Sequence, residues 1–162
     1  MLGSAIGVNL FWAVLLGCRE DAGLATTYGR LNHHGVDHMT QIVPVDVTRF
    51  ALDIHRDLSV SPRARKSGPP ERIDGMTVGF VSVTRDAPHN GEVHPDGDEI
   101  LYVLSGKLRV IGESDPSAAL DLGPGEACIV RRGEWHRVIM LEPSQLLHIT
   151  PGPRGGFRPA NT

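Results

Sequence analysis

From Met76 to Thr150 apolar and polar residues alternate in short runs, MTVGFVSVT, DEILYVLS, KLRVIGE, ACIVR, HRVIMLE and QLLHIT. An alternation of every second residue is that of a strand with one buried face. The breaks between runs are Pro95, Asp96 and Gly97, then Ser105 and Gly106, then Gly123, Pro124 and Gly125, then Arg132 and Gly133, all suited to tight turns. Six or more strands at such short spacing predict a sandwich or closed barrel. Upstream, residues 45–60 read two ways: Phe50, Ile54 and Leu58 fall at helical spacing, while Phe50, Leu52 and Ile54 alternate as in a strand. Residues 61–75, SPRARKSGPPERIDG, hold three prolines and almost no apolar side chain, which predicts a surface loop or lid. Residues 1–38 show no sustained period and are expected to be a disordered or non-native extension. The expected order is therefore extension 1–38, arm and loop 39–75, barrel 76–155 and tail 156–162.

Composition narrows the class. The 19 Gly and 12 Pro among 162 residues are in excess of usual usage, as a turn-rich β domain needs, and a chain of this length, 40% hydrophobic, holds one core and excludes a multidomain enzyme. With 16 Lys and Arg against 19 Asp and Glu there is no basic stripe, so no nucleic-acid partner is expected. Cys18 and Cys128 form neither a disulfide framework nor a cysteine zinc cluster, in keeping with a reducing compartment. No apolar run reaches the ~18 residues of a membrane span, so no membrane partner is expected either. Leu15, Leu16, Gly17 and Cys18 resemble a bacterial lipoprotein cleavage box, but no Lys or Arg precedes them, and Met39 opens a stretch that reads as a natural start. A cytoplasmic protein is expected, export through Cys18 being the alternative. His33, His34 and His38 are expected in a solvated tail where they can trap metal adventitiously.

The chemistry gathers at two places. Glu92 and His94 share a strand face, and the turn PDGD brings Glu99 to the start of the next strand, in phase with Leu101 and Val103. Glu99 is then a carboxylate at the edge of an apolar cavity, costly unless a cation or hydrogen-bond donor compensates it, and that is the physical reason to expect a metal. His136 shares phase with Val138 and Met140, giving a second imidazole in an apolar surround. Ile100, Tyr102 and Leu104 face outward and predict a homodimer through that face.

GEVHPDGDEILYVLSG, residues 91–106, resembles the first cupin motif, with His94, Glu99 and Gly106 in register; GEACIVRRGEWH, residues 125–136, resembles the second, with Gly125, Gly133 and His136 in register. The resemblance spans about half the chain. It departs where Glu92 replaces the first histidine, Arg131 the usual proline and Met140 the usual asparagine. It implies an all-β fold, a single double-stranded β-helix or jelly-roll barrel preceded by an irregular N-terminal arm. It also implies a divalent metal held by Glu92, His94, Glu99 and His136.

Glu92 admits three roles. As a fourth ligand it favours the harder iron or manganese, zinc and nickel remaining open; off the metal it is a free general base beside a two-His-one-carboxylate set; in a site without metal it is an ordinary acid. Among other residues, Asp96 and Asp98 are expected as turn formers, Tyr102 and Trp135 as packing residues with Trp135 able to wall a pocket, and His89 at most on a pocket rim. His55 and His148 are expected as ordinary partly buried histidines and Cys128 as a small core residue. Arg131 and Arg132 are expected as a solvated pair, an anion-binding role at the barrel mouth being the alternative. The expected function is a metal-dependent oxygenase or isomerase acting on a small polar molecule, with a non-catalytic binding or sensing module as the contrasting reading, since one fold of this kind hosts many chemistries.

Overall fold

The structure, a computed structural model, describes residues 42–66 and 71–159. They form eleven strands: β1 Phe50–His55, β2 Val60–Ala64, β3 Gly75–Val83, β4 His89–Val93, β5 Glu99–Ser105, β6 Leu108–Gly112, β7 Leu120–Leu122, β8 Ala127–Val130, β9 His136–Met140, β10 Ser144–Pro151 and β11 Gly156–Pro159, with a 3-10 turn at Pro116–Ala118. All pairings are antiparallel, in a six-stranded sheet of order β2-β1-β3-β10-β5-β8 and a five-stranded sheet of order β11-β4-β9-β6-β7. The all-β architecture expected from the alternation is found, and it is the jelly roll that the resemblance implies.

The core is made by inward residues of both sheets: Leu101 and Val103 of β5, Val130 of β8 and Leu146 of β10 meet Leu108 and Val110 of β6 and Leu122 of β7. In β5 the predicted phase holds, Glu99, Leu101 and Val103 being buried while Leu104 is exposed. Strands joined this closely need backbone conformations that side chains resist. Gly106 ends β5 at φ +80°, and a Cβ there would overlap the Pro143 carbonyl and Ser144, so the position takes only glycine.

Three sequence expectations change. Within the ambiguous 45–60 segment Phe50–His55 is strand β1, and Leu58 is exposed in a turn at φ +68° and so contributes nothing to a helical stripe. Part of the expected 61–75 loop is strand β2 at the sheet edge, where pairing needs no apolar face and Pro62 is tolerated. Its anchors are polar: Arg63 donates to the buried Asp53 at 2.6 and 3.0 Å and to Thr77 at 3.1 Å, while Thr77 donates to Asp53 at 2.8 Å. Residues 156–159 of the expected tail are strand β11, paired with β4; four residues are too few to show a period. Residues 1–38 lie outside the described residues. Among the described residues no helix is long and apolar enough to cross a membrane.

Candidate metal centre

Glu92 and His136 are direct partners in the β4–β9 ladder, so their side chains stand next to each other on the five-stranded sheet. His94 follows β4, and the turn through Asp96 and Asp98 delivers Glu99 from the facing sheet. That turn is pinned: Asp96 accepts from the Arg154 amide at 2.6 Å and its Nε at 2.7 Å, and Asp98 from the Arg132 amide and Arg131 Nη1, both at 2.8 Å. Gly133, at φ +78°, shapes the turn before β9 and donates its amide to the His94 carbonyl at 3.1 Å, which fixes the two histidines relative to one another.

The result is a cluster in which one ligand-type atom from each of Glu92, His94, Glu99 and His136 lies within 4.8 Å of the others. His94, Glu99 and His136 are 2%, 3% and 1% exposed. Glu99 Oε2 is 3.1 Å from His136 Nε2 and 3.4 Å from His94 Nε2, and none of these three buried atoms makes an aligned hydrogen bond. Glu92, with its side chain 26% exposed, approaches more loosely, at 3.8 Å from each imidazole. Donor atoms that share a divalent ion at about 2.0–2.2 Å are themselves about 3.0–3.5 Å apart, so the buried trio has the spacing of ligands to one ion. Two imidazoles and a carboxylate aimed at one point, with their facing atoms unsatisfied, fit a metal.

Electrostatics match. Burial would raise the Glu99 carboxyl, but the His136 and His94 imidazoles and the Thr150 hydroxyl outweigh it and hold Glu99 well below the usual carboxylate range. Burial likewise pulls His136 down, and Glu99 beside it prevails and raises it. Burial pushes the Cys128 thiol up, as befits a residue packed on the core rather than a nucleophile.

Three residues near the cluster have no counterpart among the expected site residues. Thr150 donates to Glu99 Oε1 at 2.5 Å and is 2.7 Å from His148 Nδ1. Since the Thr150 proton goes to the carboxylate, His148 donates from Nδ1. Burial holds His148 below the ordinary histidine range, and the ring lies over Gly79, where any Cβ would overlap it. His148 is therefore no ordinary core histidine; its inward phase with Thr150 on β10 was the available signal. Arg72, from the expected loop, donates from Nη1 to His94 Nδ1 at 2.9 Å and keeps Nη2 3.8 Å from Glu92 Oε2. With Nδ1 accepting, a neutral His94 carries its proton on Nε2; a metal on Nε2 requires that proton on Nδ1 and this hydrogen bond given up.

The cluster opens into a cavity of about 460 Å³ lined by Leu101, Val138, Met140, Leu146, Glu92 and Arg72 among others. Val103 belongs to the core rather than to its wall. Trp135 walls a different groove, with Arg158 stacked 3.9 Å above its ring. His89 packs on Phe157 and is not on the cavity rim, and Arg131 and Arg132 are engaged with Asp98 and the Asp96 carbonyl. His55 bonds Ser61 at 2.7 Å.

The cupin domain family matches residues 81–150. Solved structures with a similar chain path include a Neisseria meningitidis protein (20% identity, 54% of this chain and 88% of that one, TM-score 0.41). A cupin-2 domain containing protein from Shewanella frigidimarina gives 20% identity over 56% of this chain and 85% of that one, TM-score 0.41. Oxalate decarboxylase from Bacillus subtilis, an enzyme with Mn(II) centres, gives 23% identity over 51% of this chain, TM-score 0.43, and the match spans 23% of that enzyme's length. No curated protein matches the sequence.

Proposed function

Because residues 81–150 match the cupin domain family, we propose that the chain holds one divalent metal ion on His94, Glu99 and His136, with Glu92 beside it, and acts through it as an enzyme of the oxygenase or isomerase type on a small molecule bound in the cavity. The observation that carries this reading is the convergence of His94 Nε2, Glu99 Oε2 and His136 Nε2, buried and without aligned partners. Two imidazoles with carboxylates suit iron(II) or manganese(II) best, with zinc or nickel as lesser fits. Such an ion supplies Lewis acidity, and iron adds redox chemistry with oxygen.

The side chains have separable tasks. His94, Glu99 and His136 form the buried anchor. Glu92 reaches the cavity from its wetter side and at a longer distance, which suits a carboxylate that takes a proton at Oε from a ligand. Thr150 fixes the orientation of Glu99, and His148 fixes Thr150. The apolar wall of Leu101, Val138, Met140 and Leu146 excludes water. That same wall favours a second reading, a non-catalytic binding module, because an apolar pocket suits binding as well as turnover.

Elemental analysis of the purified chain, followed by oxygen-uptake and turnover assays on the molecule that co-purifies, tests the proposal. About one iron or manganese per chain with turnover is expected. Tight binding of a co-purifying molecule without turnover selects the second reading, and a chain that takes no divalent ion overturns the metal in both.

A further inference from the structure

The cavity has a polar cluster and an apolar wall. Arg72, Glu92, Glu99, His148 and Thr150 make the first, Val83, Leu101, Val138, Met140 and Leu146 the second, and Ser82, Thr84, Arg85 and Asp86 also line it. A fully polar molecule gains nothing from that apolar wall, whereas each buried methylene gains from leaving water. The volume, about 460 Å³, lies within the range of small-molecule sites, roughly 300–1,000 Å³.

Arg72 is held in the polar cluster rather than waving over it. Its side chain is 17% exposed, and a Cβ at Gly155 would overlap Nη1, so a glycine makes its room. Among the described residues one hydrogen bond, to His94, engages it, and the Glu92 carboxylate at 3.8 Å is too far for another, so most of its five donors have no partner there. Charge counts the same way. Glu92 and Glu99 balance a divalent ion, and the guanidinium is then one unbalanced positive charge. Glu71, Arg85 and Asp86 at the rim are exposed, where salt screens them.

We propose that the ligand of this cavity is a monoanionic amphiphile, a carboxylate on an apolar body, whose carboxylate pairs with Arg72 while its body lies against the wall of Val83, Leu101, Val138, Met140 and Leu146. This rests on the metal reading above, and it makes anion binding depend on the ion.

Calorimetric titration of the full chain with octanoate, octanamide and acetate, with and without manganese(II), tests it. Metal content is measured first. The manganese-loaded protein should bind octanoate about tenfold or more tighter than octanamide, the uncharged analogue, and tighter than acetate, which lacks the body. The metal-free protein should bind octanoate at least about tenfold more weakly, since it lacks the positive charge of the ion. Arg72→Gln should remove the preference for octanoate over octanamide with metal content unchanged, and Arg72→Lys, which keeps the charge and packs similarly, should retain part of it; melting curves of both variants check that they fold. Equal affinity for octanoate and octanamide, octanoate no tighter than acetate, or a preference that survives Arg72→Gln overturns the proposal while leaving the metal reading intact. A full chain that takes up no divalent ion overturns both.

Discussion

Thr150 gives its hydroxyl proton to Glu99 across 2.5 Å and thereby ties the most deeply buried carboxylate of the cluster to strand β10. A ligand carboxylate held this way has its second oxygen aimed at the imidazoles. Thr150→Val keeps the shape and removes the bond, so metal affinity should fall about 10- to 100-fold while the fold persists. Metal titration alongside a melting curve measures both; unchanged affinity would show that Thr150 merely fills space.

His136→Ala should abolish uptake of the ion, read by elemental analysis in a chain that also carries His33→Ala, His34→Ala and His38→Ala, so that adventitious binding is removed. In the parent, saturating metal at about 100 times Kd should add roughly 2.7 kcal/mol of stability. Full occupancy in the His136 variant would mean the ion binds elsewhere.

Glu92 is placed to act as a base rather than as an anchor. Glu92→Ala should leave metal content near that of the parent and lower turnover by about 10²- to 10⁴-fold, whereas Glu92→His should tighten metal binding and shift preference toward softer ions. A large loss of metal from Glu92→Ala would make it a ligand instead.

Asp53 and Arg63 supply a pH test on side chains outside the Glu92, His94, Glu99 and His136 cluster. Burial would raise the Asp53 carboxyl, but Arg63 and Thr77 outweigh it and hold it low. A carboxylate lowered by folding contributes stability above its unfolded value, about 3.9, and that contribution is lost as pH falls through the folded value. Asp53→Asn should therefore cost roughly 2–4 kcal/mol at pH 7, by leaving Arg63 without its partner, and should flatten the loss of stability below about pH 4. Urea melts from pH 3 to 7 read both, and parallel curves for the two proteins would deny the pair its role.

The outer face of β5 leads to one expectation about assembly. Ile100, Tyr102 and Leu104 face away from the core, with Leu104 44% exposed and Ile129 of the neighbouring edge strand 54% exposed. A homodimer through this face should appear by light scattering at micromolar concentration, and Leu104→Lys should shift it to monomer. A monomeric parent would rule it out.

What could be read from the chain follows from distance along it. The phase of Glu99 with Leu101, and of His136 with Val138, is local, and local alternation shows it. Arg72 sits in a proline-rich stretch without a period, and only the long-range fold brings it to His94. Thr150 needed the pairing of Ile149 with Ile100, which places β10 beside β5; two polar residues on the inward face of QLLHIT hinted at it. Strands β2 and β11 escaped notice because edge strands are held by backbone pairing and polar anchors, neither of which leaves a hydrophobic trace.

Gly79 lies opposite His148 in the β3–β10 ladder, and its missing side chain is the space that the imidazole fills. A methyl group added there would press on His148, then on Thr150, then on Glu99, so strand β3 can transmit a displacement through β10 into the cluster. Gly79→Ala thus offers a tuning screw: a way to detune the carboxylate mechanically with every charged and coordinating group still in place.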